Sequence, residues 1–227
     1  RLLDYLLETK TVHRVSIAGS LRRWKEVVKD IDLLASSDQP AKVMEAFVKA
    51  PGVASVIGQG DTKTSVRLAS GMQVDLRVVT DPQFPYALVY FTGSKEHNIA
   101  IRGAAQKKGL KVNEYGIYEG SKLIECTDEA GFYKILGLPC VPPEMRENTG
   151  ELDYNATFQL IGPKSLKGVF HTHSTWSDGT AEIEVMAEKA RSMGLQYMGL
   201  SDHSKAAAYA NGLDEARLAN QMKVIDQ

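Results

Sequence analysis

Asp30 and Asp32 stand two residues apart in an apolar segment, 30–34. Side chains on a strand alternate between its faces, so the two carboxylates share one face, about 6–7 Å apart. Carboxylates combined with substrate phosphates are the ligand set that Mg²⁺ prefers. Such a pair alone is weak evidence, because most pairs of this kind belong to the solvated face of an edge strand. The residues around it decide its meaning.

A glycine-serine turn precedes the acid pair. Gly19 lets the backbone come close to a ligand, and the turn opens a short predicted helix whose free N–H groups suit a phosphate. We expect Ser20 to cap that helix and Arg23, one turn further on, to reach the same anion. A phosphate-binding turn that faces two acids predicts metal-dependent nucleotidyl transfer.

A third acid, Asp75, lies in a segment where apolar and polar residues alternate, the pattern of a half-buried strand. If this strand lies beside the first, the three carboxylates meet. Three acids can hold two divalent ions about 3.5–4 Å apart, one at the attacking hydroxyl and one at the triphosphate.

The elements that must position these residues follow from hydrophobic periodicity and turn signals. We predict a sheet with helices on one side, from a helix at 1–10, a strand at 12–18, a helix at 41–49 and strands at 53–58, 62–68 and 72–79. Beyond it we predict helices at 86–91, 94–108 and 128–136 and short strands at 111–118 and 122–127. Segment 139–167 has the composition of a linker, with Glu144, Glu147 and Glu151 expected to be solvated.

A second cluster of metal-ligand types follows the linker. His171 and His173 stand two apart on a predicted strand, Asp178 precedes a helix at 180–193, and His203 follows a strand at 197–201. Strand, helix and strand with His and Asp at the carboxyl ends are typical of a parallel (β/α) barrel that presents metal ligands. These four residues predict a zinc or manganese site.

Composition sets broad limits. The chain has 227 residues, 43% of them apolar and 24% charged, which is typical of a globular protein. We expect no membrane segment, and two cysteines suit a reducing cytoplasm. Nucleic-acid-binding proteins are usually basic, whereas this chain has a net charge of −1. A cluster of active-site acids would lower the net charge of any such enzyme, so the value is neutral evidence.

The motifs together resemble the family X DNA polymerases of the bacterial type, which carry a PHP phosphoesterase domain. Gly19, Ser20 and Arg23 match the family's triphosphate-binding motif, and Asp30, Asp32 and Asp75 match its metal triad. The similarity continues through segments 90–94, 98–102, 113–115 and 136–139 to His171, His173 and the Asp202-His203 pair.

The resemblance implies roles for residues that spacing alone would leave as solvated or core positions. Tyr90, Phe91 and Gly93 would belong to the nucleotide pocket, with the two rings lining the sugar. Asn98 would contact the incoming base, and Arg102 the minor groove on the template side. Asp75 would assist deprotonation of the primer hydroxyl.

The resemblance implies an α/β chain with a polymerase palm (1–81), a thumb (82–146), a linker (147–166) and the beginning of a PHP domain (167–227). A whole barrel needs about 200–250 residues, so we expect the hydrolytic site to be incomplete here. The helix-hairpin-helix lyase and fingers regions are absent from the sequence given.

Lys95, Lys107 and Lys108 give the predicted thumb a local positive charge suited to duplex phosphates. The function implied is gap-filling DNA synthesis in base excision repair of a bacterial cytoplasm, with Mg²⁺ or Mn²⁺, nucleoside triphosphates and gapped or primer-template DNA. Alternatives are a nucleotidyltransferase acting on a small acceptor or RNA, a phosphoesterase whose palm only delivers DNA, and a non-catalytic DNA-binding piece.

Overall fold

A five-stranded mixed sheet carries the predicted acids. The computed structural model describes residues 2–154 and 158–226, and the chain divides into two compact units, Arg1–Phe158 and Gln159–Gln227. In the first unit the strand order is β1-β2-β5-β4-β3, with β2 and β5 parallel and the other neighbours antiparallel. Its elements are α1 (Leu2–Glu8), β1 (Arg14–Ile17), α2 (Gly19–Arg22), β2 (Asp30–Ser36), α3 (Pro40–Val48), β3 (Val53–Gln59), β4 (Lys63–Leu68) and β5 (Gln73–Val79).

The two faces of this sheet have different partners. Leu33 on β2 and Val74 on β5 belong to a core that includes Leu6 of α1 and Phe47 of α3. Leu34, one residue after Leu33, instead packs with α4 (Phe84–Thr92). The acids share this second face, because their positions differ from Leu34 by even numbers on paired strands. The expectation of helices on one side only was therefore wrong, because α4 packs on part of the face that carries the acids.

The region after the sheet packs around α5 (Lys95–Lys107) and α6 (Glu129–Leu136). Ser94 caps α5 by accepting from the His97 N–H, and Asp128 caps α6 by accepting from the Gly131 N–H. A buried core joins α4, α5, α6 and a three-stranded antiparallel sheet of β6 (Leu110–Asn113), β7 (Gly116–Glu119) and β8 (Lys122–Ile124).

One predicted strand proved to be two. The Asn113 side chain accepts hydrogen bonds from the N–H groups of Tyr115 and Gly116, at 2.9 and 3.0 Å. This turn reverses the chain inside the segment predicted as one strand, 111–118, and creates the pair β6 and β7.

The start of the predicted linker belongs to the first unit. Val141 and Arg146 are buried, and Leu152 and Phe158 pack against the core of α4, α5 and α6. Glu151 is only 3% exposed, so the expectation that it is solvated was wrong.

The second unit contains a two-stranded parallel sheet of β9 (Gly168–Thr172) and β10 (Tyr197–Leu200). The helix α7 (Ile183–Ser192) connects them, beginning three residues later than predicted, and α8 (Glu215–Ile225) follows. Phe170 packs on Tyr197, with ring centroids 5.5 Å apart. The predicted strand-helix-strand unit is present.

Candidate active site

Gly19 lies against the carboxylate of Asp32. A Cβ atom at Gly19 would be 2.0 Å from Asp32 Oδ2, and its φ of +59° is one that side chains rarely adopt. The Ala18 N–H donates to the Asp32 carbonyl at 2.8 Å, which fixes the turn beside β2. Ser20 lies within α2 and does not cap it, since Ala18 occupies the N-cap without a side-chain bond. The predicted capping role of Ser20 was wrong.

The three carboxylates share one face of two adjacent strands. In the parallel register of β2 and β5, Asp32 pairs with Asp75 and Asp30 with Gln73. Burial, followed by repulsion from Asp30 and Asp75, raises the pKa of Asp32. Among the described residues, the three acids do not close into a group with all ligand atoms within 4.8 Å. They are brought together as neighbours, and their hard oxygen donors and mutual repulsion suit a divalent cation.

Asp75 is held by basic and polar neighbours. Lys63 Nζ lies 2.7 Å from Asp75 Oδ2, and Gln73 Nε2 donates to Asp75 Oδ1 at 2.9 Å. Burial alone would raise the pKa of Asp75, but hydrogen bonds from Lys63, Gln73 and Ser65 lower it. Sequence reasoning missed Lys63, although the alternation along β4 does place it with Ser65 on the acid-bearing face.

Arg23 is engaged by the segment that was expected to be a solvated linker. Arg23 Nε donates to Glu147 Oε1 at 2.9 Å, and its Nη1 donates to the Thr92 carbonyl. Lys25 Nζ lies 3.4 Å from the same carboxylate oxygen. Burial would raise the pKa of Glu147, but Arg23 and Lys25 lower it. The expectation that Glu147 is solvated was wrong, because its carboxylate forms an ion pair with Arg23.

A partly buried ion network joins Arg22, Glu129 and Arg146. Arg22 Nη1 and Nη2 donate to the two carboxylate oxygens of Glu129 at 2.9 and 2.6 Å, and Arg146 Nη1 donates to Glu129 Oε1 at 2.7 Å. Burial would raise the pKa of Glu129, but hydrogen bonding to Arg22 and the charge of Arg146 lower it. This network fixes α2 to the start of α6, and sequence reasoning missed it.

The residues of α4 and α5 that were predicted to form the nucleotide pocket lie close together. Asn98 Nδ2 donates to the Tyr90 carbonyl at 2.7 Å, and both residues line a small cavity, about 10 Å³, that Arg102 also borders. The rings of Tyr90 and Phe91 meet edge to face at 5.1 Å. A Cβ atom at Gly93 would be 3.2 Å from Arg23 Nη1. The structure thus brings Tyr90, Asn98 and Arg102 together. It also places Gly93 next to Arg23.

The three predicted DNA-binding lysines are exposed but do not form one patch. Lys95 begins α5, whereas Lys107 and Lys108 lie at its other end, about 18 Å away at 1.5 Å per residue. Arg102 is also exposed on this helix.

In the second unit, three of the four predicted ligands form a cluster. The ligand atoms of His173, Asp178 and His203 all lie within 4.8 Å of one another. His173 Nδ1 is buried without a hydrogen-bond partner in the described structure, and 3.5 Å separates it from Asp178 Oδ1. An orphaned imidazole nitrogen beside a carboxylate and a second imidazole fits a zinc or manganese ion.

His171 stands outside this group. Its φ is +60°, and the register of β9 with β10 shifts nearby, so the strand does not continue regularly through both histidines. Its ring centroid is 5.1 Å from that of His173. The two rings therefore lie close together as expected, but the strand that was predicted to carry both histidines ends at Thr172 and is irregular at His171.

The chain that carries these acids, the glycine turn and the helices is similar to known DNA polymerases. A family model described as the DNA polymerase beta thumb matches residues 87–147. The repair DNA polymerase X of African swine fever virus (isolate Pig/Kenya/KEN-50/1950) is 30% identical over 140 residues, which cover 58% of this chain and 80% of the viral protein. The chain belongs to the family X DNA polymerases.

Other members of family X extend the similarity. The DNA polymerase/3'-5' exonuclease PolX of Bacillus subtilis is 43% identical over 228 residues, 98% of this chain but 40% of the relative. The human DNA-directed DNA/RNA polymerase mu is 37% identical over 78 residues, 33% of this chain and 16% of the relative. The chain therefore spans less than half the length of the Bacillus subtilis protein.

No helix in the described part of this family X chain has the length and apolar character needed to cross a membrane.

Proposed function

We propose that the first unit adds nucleotides to a primer 3′-hydroxyl, directed by a DNA template. The observation that carries this proposal is the register of Asp32 opposite Asp75, with Gly19 against the Asp32 carboxylate. The carboxylates and the backbone turn at Gly19 lie next to each other. Nucleotidyl transfer needs such an arrangement, because the carboxylates hold metal ions and the turn binds phosphate.

Each residue has a role in this proposal. Asp30, Asp32 and Asp75 would hold two Mg²⁺ or Mn²⁺ ions, which supply charge stabilisation at the transferring phosphoryl group. Gly19, Ser20 and Arg23 would bind the β- and γ-phosphates of the incoming nucleoside triphosphate. Asp75 would accept the proton of the primer hydroxyl, because the hydrogen bonds that lower its pKa keep it ionised.

The pocket of α4 and α5 would orient the substrates. Tyr90, Phe91 and Gly93 would face the sugar, Asn98 the base and Arg102 the template-side minor groove. The hydrogen bond from Asn98 Nδ2 to the Tyr90 carbonyl supports the grouping of these two residues. Lys95, Lys107 and Lys108 would contact phosphates at separate points along α5. In the cell, the activity proposed is short-gap synthesis during base excision repair.

The test is incorporation of a single nucleotide on a duplex with a one-nucleotide gap, with Mg²⁺ or Mn²⁺. We expect the unmodified chain to extend the primer with the templated nucleotide and Asp75→Ala to lose the reaction while retaining DNA binding. Extension that ignores the template, or transfer to RNA or a small acceptor alone, would favour the other nucleotidyltransferases. DNA binding without any extension would favour a binding piece.

A second activity is proposed for the second unit, supported by the cluster of His173, Asp178 and His203. These residues, with His171 nearby, would hold Zn²⁺ or Mn²⁺, which activates water for phosphoester hydrolysis. The name of the Bacillus subtilis relative, a 3'-5' exonuclease, agrees with this chemistry. In a longer protein with a complete barrel, the activity proposed is 3′-5′ exonuclease or abasic-site endonuclease.

The metal site can be tested directly by titrating the chain with Co²⁺ and recording the ligand-field absorption of histidine-bound cobalt. We expect His173→Gln and His203→Gln to abolish this absorption. If it were unchanged in both variants, these imidazoles would not be metal ligands.

A further inference from the structure

The carboxylate of Asp202 is saturated with hydrogen bonds. Its Oδ1 accepts from the Ser174 N–H at 2.7 Å and from Ser177 Oγ at 2.6 Å. Its Oδ2 accepts from Ser174 Oγ at 2.5 Å and from Gln221 Nε2 at 2.6 Å. A carboxylate offers about four lone-pair sites, so these four donors leave none for a metal ion.

Both serine partners of Asp202 are next to a member of the cluster in the sequence. Ser174 directly follows His173, Ser177 directly precedes Asp178, and Asp202 itself directly precedes His203. One carboxylate therefore connects the three chain segments that carry the cluster.

The donors are buried, which makes the connection strong. Ser174 is completely buried, Ser177 is 6% exposed and Gln221 of α8 is 4% exposed. Hydrogen bonds to a charged acceptor inside a protein are stronger than those in water, and a donor left without its acceptor is costly. A change at Asp202 would therefore release both serine-bearing segments together.

We propose that Asp202 is a positioning residue for the His173–Asp178–His203 site, which holds the three ligands at metal-binding distance, with Gln221 orienting the Asp202 carboxylate. This inference rests on the proposed metal site. It predicts that Asp202 controls the affinity for a metal although its oxygens do not bind it. Changes to groups that orient metal ligands typically reduce affinity about 10- to 100-fold.

The experiment is a Co²⁺ titration of the whole chain, followed by the absorption of histidine-bound cobalt. All variants carry Asp32→Asn and Asp75→Asn, so that the carboxylates of the first unit do not compete for the ion. Asp202→Asn keeps the shape of the side chain but turns one acceptor into a donor that opposes the Gln221 amide. We expect it to weaken Co²⁺ binding at least 10-fold and to change the absorption spectrum.

Two further variants separate positioning from direct ligation and from simple stability. Adding Gln221→Glu to Asp202→Asn restores the hydrogen bond with donor and acceptor exchanged, and we expect it to recover most of the affinity. Asp214→Asn removes an exposed carboxylate that caps α8 by accepting from the Arg217 N–H, and we expect it to leave Co²⁺ binding unchanged.

The outcomes distinguish this inference from the proposed site. If the background chain with Asp32→Asn and Asp75→Asn binds Co²⁺ and the addition of Asp202→Asn leaves this binding unchanged, the inference alone is overturned. If the background chain itself shows no cobalt absorption, both the proposed metal site and the role of Asp202 are overturned. If circular dichroism shows that Asp202→Asn does not fold, Ser177→Ala decides instead: it removes one bond to Asp202, and unchanged affinity in that variant overturns the inference.

Discussion

Asp32 and Asp75 are register partners on the adjacent parallel strands β2 and β5, so their carboxylates project from the same face. Asp30 lies two residues before Asp32 on that face, and Gly19 lies against the Asp32 carboxylate. Without a cation, burial and two neighbouring acids make the ionised form of Asp32 unfavourable, and the raised pKa of Asp32 records this. The fold therefore concentrates repulsive charge at the position proposed above for the divalent metal ions.

Removing this charge should stabilise the chain. Because the pKa of Asp32 is raised on folding, its ionised form destabilises the fold at neutral pH, and this cost disappears as the pH falls through the folded pKa. We expect Asp32→Asn to raise the Tm at pH 7 without divalent metal, by about 2–4 °C for each kcal/mol recovered. Differential scanning calorimetry measures it.

The control is Asp61→Asn, which makes the same change at an exposed position of the same unit and should leave the Tm unchanged. Added Mg²⁺ should raise the Tm of the unmodified chain and of Asp61→Asn, but not that of Asp32→Asn, because a ligand stabilises only the state that binds it. An Asp32→Asn chain with a lower Tm than the unmodified chain would contradict the argument.

Glu147 should compete with nucleotide phosphates for Arg23. Its carboxylate accepts from Arg23 Nε at 2.9 Å, in the position from which this guanidinium would otherwise bind an anion. We expect Glu147→Gln to tighten binding of a nucleoside triphosphate about threefold, which corresponds to the about 0.2–1 kcal/mol of a partly exposed ion pair. Isothermal titration calorimetry with Mg²⁺ and a gapped duplex measures the Kd.

Glu144→Gln is the matched control for this prediction, since Glu144 is an exposed glutamate of the same segment and should not affect the Kd. Weaker triphosphate binding by Glu147→Gln would show instead that Glu147 holds Arg23 in a productive orientation.

The sequence was informative where the pattern is local. The alternation in segments 30–34 and 72–79 predicted two strands with acids on one face, and the caps at Ser94 and Asp128 marked two helix starts. His171 could not be placed by the same rule, because its positive φ breaks the alternation that the rule assumes.

Contacts between distant residues could not be predicted. Glu129 meets Arg22 across 107 residues and Glu151 meets His97 across 54, and nothing in the surrounding composition distinguishes these glutamates from solvated ones. Glu147 and Glu151 lie in a segment rich in turn residues, whose burial arises only when it packs on the core of α4, α5 and α6.

The buried histidine His97 should make stability fall in mild acid. It is completely buried between Glu151 and Tyr133, with its Nδ1 2.6 Å from Glu151 Oε1 and its Nε2 2.8 Å from the Tyr133 hydroxyl. Burial lowers the pKa of His97 below 6.5. Protonation therefore favours the unfolded chain, and we expect the Tm to fall as the pH drops below 6.5.

Glu151 should add a second loss at lower pH. Burial would raise its pKa, but hydrogen bonds, including that to His97, lower it below 4.5, so its contribution is lost as the pH falls from 4.5 through the folded pKa. Thermal melts between about pH 4 and pH 8 span the reference pKa values of both groups. His97→Gln should reduce the loss just below pH 6.5, whereas His13→Gln, at an exposed histidine, should retain it. Equal losses in both variants would remove His97 as the cause.

Gly179 should be irreplaceable in the second unit, because a Cβ atom there would lie 1.9 Å from the His173 carbonyl oxygen and 2.7 Å from the Ser174 carbonyl carbon. Both contacts are with backbone, so Gly179→Ala must displace the segment that carries His173. We expect a loss of about 1–3 kcal/mol, seen as faster hydrogen exchange of the β9 and β10 amides, with weaker Co²⁺ binding. Gly162→Ala, at a glycine of the same unit with no atom within 4 Å of the added Cβ, should change neither. Equal exchange rates and Co²⁺ affinities in the two variants would mean that the close approach of Gly179 to His173 does not hold this site together.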